Sequence, residues 1–160
     1  MKILTLTQPW ATLMAIGAKH IETRDWRTSH RGPVAIHAAK GFPAECRALC
    51  LEPGPIPQAL ARHGIESLGK LIEVAGCIVA VVDLVDCCPT DLDLSLMASR
   101  SLYRIPDERQ FGNYGPGRFA WITRDVRRIA NPIPFRGSLG LRDMPPDVEA
   151  AVRWQVERAA

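Results

Sequence analysis

The segment Cys77-Ile78-Val79-Ala80-Val81-Val82-Asp83-Leu84-Val85 limits the possible folds more than any other stretch. It is almost continuously apolar and rich in β-branched residues, which predicts the centre of a strand buried on both faces. The strand is expected from about Leu71 to Cys88, with Glu73 at its start and Asp83 and Asp86 toward its end. The 160 residues are enough for one domain with a real core, and 47% apolar with 23% charged residues is a globular composition. No apolar run approaches the ~18 residues that a membrane-spanning helix needs. The first residues, Lys2 to Thr7, alternate as a strand and carry no secretory pattern, so a cytoplasmic protein is expected. Five cysteines, an odd number without a Cys-x-x-Cys pair, agree with a reducing compartment and with thiols that bind no metal.

Between these two strands the chain changes period. Gln8 to Ile16 predicts a short helix, opened by Pro9, with Trp10, Leu13 and Met14 on one buried face and Gly17 as its stop. From His20 the pattern alternates: Ile21 and Thr23 share one face, and His20, Glu22 and Arg24 the other. Pro33 to Ala39 is expected as a further strand, with His37 pointing away from its apolar face. A helix is predicted over Pro43–Leu51 and another over Gln58–His63, joined by a proline-rich loop, so that residues 41–70 read as a helical insertion. A short helix over Thr90–Arg100, a Gly- and Pro-rich loop over Tyr103–Arg118, a strand over Phe119–Ile129 and a closing helix at 145–159 complete the outline.

The polar chemistry is concentrated in Gly17-Ala18-Lys19-His20-Ile21-Glu22-Thr23-Arg24-Asp25-Trp26. From Lys19 to Lys40 there are five cations (Lys19, Arg24, Arg27, Arg31, Lys40) against Glu22 and Asp25, which equals the net charge of the whole chain, +3. A local basic patch suits a phosphate-bearing partner. The plain alternative is a surface ion pair between Glu22 and Arg24 with Lys19 in a solvated turn, an arrangement that contributes little. Arg136-Gly137 echoes Arg31-Gly32, but two residues do not make a repeat. The chain has no Ser-His-Asp order, Gly-rich phosphate loop, His-Glu-x-x-His or zinc-deaminase pattern, which removes most cofactor-dependent enzymes.

The pattern Gly-x-Lys-x-x-Glu-x-Arg, preceded by Gln8-Pro9-Trp10 and followed by Arg31-Gly32-Pro33-Val34-Ala35-Ile36-His37, resembles the ASCH family. Pro132 to Leu141 is similar to that family's closing strand. The resemblance runs from Leu4 to about Leu141. It implies an α+β fold, a small PUA-like β-barrel of about five to six strands with flanking helices, as a single domain over residues 1–160.

What the resemblance implies about function starts from RNA or nucleoside binding. Single-stranded RNA or a modified nucleotide would lie in a basic cleft, with Lys19, Arg24, Arg31, His37 and Lys40 toward the backbone. Trp10, Trp26 or Tyr114 would stack on a base. An enzyme is the alternative, since related proteins include metal-stimulated ribonucleases and acetylcytidine amidohydrolases. The lysine of the latter corresponds to Lys19, but their threonine corresponds to Glu22, which departs from the pattern. Lys19, Glu22 and Arg24 would then be catalytic, with Glu108 as a further carboxylate and Ser138 and Tyr114 as candidates for RNA cleavage. No cofactor is expected beyond a divalent metal for that cleavage. A third reading is a protein-interaction domain with no nucleic-acid partner. The sequence leaves the protein partners open.

Overall fold

The computed structural model describes residues 1–90 and 108–158. The helix expected over 90–100, beyond Thr90, and the 103–107 part of the loop lie outside the described residues. Among the described residues there are six strands: β1 (Lys2–Leu6), β2 (Ile21–Arg24), β3 (Gly32–Ala38), β4 (Cys77–Pro89), β5 (Phe119–Pro134) and β6 (Leu141–Asp143). They form one mixed sheet in the order β2-β5-β4-β3-β1-β6, curled into a half-barrel. The β1–β3 pair is parallel, and the remaining pairs are antiparallel. Register shifts at Ile78/Ala80, Val81/Asp83 and Leu84/Asp86 bend β4 against β5 and supply the curl. The fold is therefore the expected α+β barrel type.

The apolar run of β4 is buried on both faces because two layers cover the sheet. Val82 and Leu84 pack with Leu4, Leu6, Val34 and Ile36 beneath α1 (Trp10–Ala15), which contributes Ala11, Met14 and Ala15. On the other face Val81, Ala35, Ile3 and Ile129 meet Met144 and Val152, the latter from the closing helix Pro146–Arg158. Fully burying an aliphatic side chain of this size contributes about 1.5–3 kcal/mol, so these two layers carry much of the fold.

Three helices lie between β3 and β4: α2 (Ala44–Leu51), α3 (Pro55–Arg62) and α4 (Leu68–Glu73); the closing helix is α5. Pro55 starts α3 one turn earlier than expected, and its Ile56, Ala59 and Leu60 fall on one buried face. The expected start of β4 at Leu71 is corrected. Leu71 belongs to α4, its side chain buried with Leu13 and Phe111, and Gly76, at φ 79°, makes the turn into β4. Strand β5 runs five residues past Ile129, because its C-terminal third pairs with the first residues of β4.

Candidate functional site

Gly17 ends α1 as expected, with φ 72°, a conformation that glycine adopts without strain. The Leu13 carbonyl then accepts from both the Ala18 and Lys19 N–H groups, which turns the chain sharply into β2. This turn points Lys19 inward rather than to solvent. Its side chain is 0% exposed, and Nζ donates to the carbonyls of Ile21 and of Phe111, the latter at 2.9 Å. Nζ also stands 3.5 Å from Glu22 Oε2, while Arg24 Nε is 3.2 Å from Glu22 Oε1. Arg24 Nη2 donates to the Thr5 carbonyl at 3.1 Å. The motif is therefore one cluster, a carboxylate between two cations, each cation tied to backbone oxygens. Lys19 positions Glu22, and phosphate contact through its buried ammonium is not available in this geometry.

Glu22 and Arg24 open onto a cavity of about 450 Å³. Its walls include Trp10 from α1, Leu49 from α2, Ile56 from α3, and Asn113 and Arg118 from the loop before β5. The helical insertion thus walls the pocket through Leu49 and Ile56. Thr23 alternates with Glu22 along β2 but also lines the small pocket, and its hydroxyl accepts the Asn113 N–H at 3.0 Å. Arg118 is held by two carbonyls, with Nε donating to Asn113 at 3.0 Å and Nη2 to Thr23 at 2.9 Å. Every charge in this small pocket has a fixed partner.

A second, wider cleft of about 1220 Å³ adjoins the first, and the two share Thr5, Thr7 and Arg24. Lys40, Arg136, Ser138 and His37 also line it, and among the described residues no aspartate or glutamate does. His37 is buried, with Nε2 3.0 Å from the Phe135 carbonyl and Nδ1 3.2 Å from the Thr5 hydroxyl. A carbonyl only accepts, so Nε2 carries the proton and the Thr5 hydroxyl donates to Nδ1, giving a neutral ring. Burial pushes its pKa below the ordinary value, partly offset by the hydrogen bonds to backbone. The loop over this ring passes so close that a Cβ on Gly137 would lie 2.5 Å from the imidazole. Phe135 stacks edge-on against the same ring, with centroids 5.9 Å apart.

Other predicted site residues fall elsewhere. Trp26 packs edge-on against Trp121, 4.5 Å between centroids, as part of the core, and the tryptophan at the small pocket is Trp10. Arg31 stands six residues from His37 on β3, roughly 20 Å along an extended strand, where it pairs with Asp86. The basic stretch is thus divided between two ends of the barrel. Tyr114 lies against Ile21, Ala120 and Ile122, which pins the loop to the sheet. Glu108 is also not a groove carboxylate: buried, its two oxygens accept the N–H groups of His20 and Ile21 at 2.8 Å each. Arg118, Asn113, Thr5, Arg136 and Gly137 are groove residues that the sequence analysis did not select. The repeated Arg-Gly pair was the single signal for two of them.

Among the described residues, no three His, Cys, Asp or Glu side chains are gathered to hold a metal ion. Glu22, between two cations, would bind a divalent metal against their repulsion, so the groove does not fit one. All five cysteines are free, and burial first, then Cys46, pushes the Cys50 thiol up to about 11. Among the described residues no helix is long and apolar enough to cross a membrane.

Among the described residues, a six-stranded mixed half-barrel with a Lys-Glu-Arg cluster at its first helix-to-strand turn defines an α+β half-barrel domain. The chain belongs to the ASCH domain family, whose profile matches residues 4–132. It is similar to activating signal cointegrator 1 of Homo sapiens, 34% identical over 140 residues, and to the Mus musculus protein, 27% identical over 140 residues. These matches cover 84% of this chain but 21% of each relative, so the chain spans about a fifth of their length. Among solved structures it resembles ASCH from Zymomonas mobilis, with TM-score 0.53, 12% identity, and coverage of 96% of this chain and 93% of that one. A point mutant of the same protein matches with TM-score 0.56 and 13% identity, covering 96% of both chains. At such identities the likeness is one of fold alone.

Proposed function

We propose that this ASCH domain recognises single-stranded RNA or a modified nucleotide in the groove that Arg24 joins. The observation that carries this reading is the pairing of a small pocket with an adjoining cleft whose lining, among the described residues, has cations and no carboxylate. A cleft of one sign of charge raises the local concentration of anionic ligands, and the small pocket has the size of a small-molecule site. A cytoplasmic protein that works without membrane contact fits this reading. A hydrolase is the second reading, favoured by the contact between Lys19 and Glu22. Against it stand the burial of Lys19, the engagement of the Thr23 hydroxyl by the Asn113 N–H and the use of both Glu108 oxygens by backbone. The name of the mammalian relatives, activating signal cointegrator 1, suits a module within a larger assembly, which is the third reading.

The test uses single-stranded RNA bearing one acetylated cytidine, with anisotropy for binding and mass spectrometry for turnover. The binding reading expects salt-dependent binding, weakened in Arg24→Gln, with RNA mass unchanged. Loss of one acetyl mass, or shortened fragments, abolished in Glu22→Gln or Lys19→Ala, would replace it with the hydrolase. Absence of binding at low salt would favour the interaction module.

A further inference from the structure

The two compartments differ in what their cations are free to do. In the small pocket Arg24 is held beside Glu22 and on the Thr5 carbonyl, and Arg118 is held by two carbonyls. Those groups present a fixed pattern of donors and acceptors to a neutral polar ligand. In the wide cleft Lys40 and Arg136 are exposed, and among the described residues neither has an ion-pair partner. Their charges remain available to phosphates. The wide cleft, at about 1220 Å³, also exceeds the ~300–1,000 Å³ usual for a single small ligand, whereas the small pocket falls within it.

We infer that the groove takes a polynucleotide chain and not a free nucleoside, with one base in the small pocket and the adjoining phosphates over Lys40 and Arg136. The inference rests on the nucleotide-binding reading and divides its ligand between the two cavities. Arg24, shared by both, stands where base and backbone meet. Glu22 and Arg24 face the base edge as acceptor and donor. Lys40 and Arg136 contribute affinity without base preference, because phosphate contacts position a strand and do not read it. Gly137 lets the loop bearing Arg136 lie directly over His37, which keeps the cleft floor neutral and leaves the rim cationic.

Calorimetry on the full chain tests this with the four nucleosides, their monophosphates, and RNA trimers randomised at every position. Trimers are expected to bind more tightly than monophosphates, and nucleosides most weakly. Each neutralised phosphate contact on a single strand contributes about 0.7 to the slope of log affinity against log salt. The double variant Lys40→Gln/Arg136→Gln should therefore reduce the trimer slope by roughly 1.4 and the affinity at 0.15 M salt by roughly fifteenfold, converging with the parent near 1 M. Nucleoside binding should be unchanged by it. Nucleosides binding as tightly as trimers, or a trimer slope unaltered in the double variant, would overturn the inference while leaving the nucleotide reading intact. Absence of binding by all three probes would overturn both. Circular dichroism of the double variant guards against misfolding.

Discussion

The small pocket and the wide cleft share an arginine and two threonines yet are built on opposite electrostatic plans. In the small pocket Glu22, Arg24 and Arg118 are locked to each other, to the buried Lys19 or to main-chain oxygens. In the cleft next to it, Lys40 and Arg136 reach solvent, and the buried His37 is held neutral. The contrast separates rigidity from attraction. A pocket that discriminates needs groups that cannot move, while a surface that gathers phosphates needs charge that is not already neutralised.

Substitution of Lys19 is the most severe way to break this contrast. Lys19→Met removes the donor to two buried carbonyls and strands Glu22 beside Arg24 alone, and a broken buried pair typically costs about 3–5 kcal/mol. Melting should fall by roughly 6–20 °C in a thermal scan. Lys40→Met, on the exposed cation, should stay within about 0.5 kcal/mol. A loss below about 1 kcal/mol for Lys19→Met would mean that the pocket is not locked. Next comes Gly137→Ala, which forces a methyl against the His37 ring and should destabilise by about 1–3 kcal/mol, as overpacking does. The double variant with His37→Ala should recover part of that loss. No recovery would place the strain elsewhere.

The pH response sharpens the same comparison by a smaller margin. His37 has a folded pKa below its unfolded value of 6.5, so the unfolded chain binds the proton more readily. Its contribution is fully present above about 6.5 and declines as the pH falls from there toward the folded pKa. Denaturant titrations between pH 7.5 and 5 should show stability decreasing in that window, with a shallower decrease in His37→Gln. Parallel curves for the two proteins would refute the assignment. Smallest of all is the expected effect of Lys40→Gln and Arg136→Gln on stability, again within about 0.5 kcal/mol by chemical denaturation.

How much of this was legible depended on how local each cause was. The apolar run of β4, the Gly17 stop and the alternation of β2 are set by neighbouring residues, and pattern reading reached them. The inward turn of Lys19 depends on the Phe111 carbonyl, 92 positions away in sequence. A lysine just past a helix end ordinarily points to water, so nothing nearby announced its burial. Trp26 looked available for stacking because its partner, Trp121, is distant in sequence. Glu108, a candidate further carboxylate in the loop, closes the start of β2 by accepting from two backbone N–H groups. The basic run from Lys19 to Lys40 read as one patch, but β3 carries Arg31 and Lys40 to opposite ends of the barrel. The expected start of β4 differs because Leu71 and Ile72 continue its apolar character, although both lie in the helix Leu68–Glu73 and the Leu71 carbonyl accepts from Gln8 Nε2.

The burial of Lys19 also has a chemical consequence. The other three lysines, Lys2, Lys40 and Lys70, are exposed or half-exposed, so an acylating reagent meets them directly. Nζ of Lys19 becomes nucleophilic toward such a reagent only when the Ile21 and Phe111 carbonyls part from it. Slow acylation at this one site therefore times the opening of the barrel wall between the 17–24 turn and the segment around Phe111.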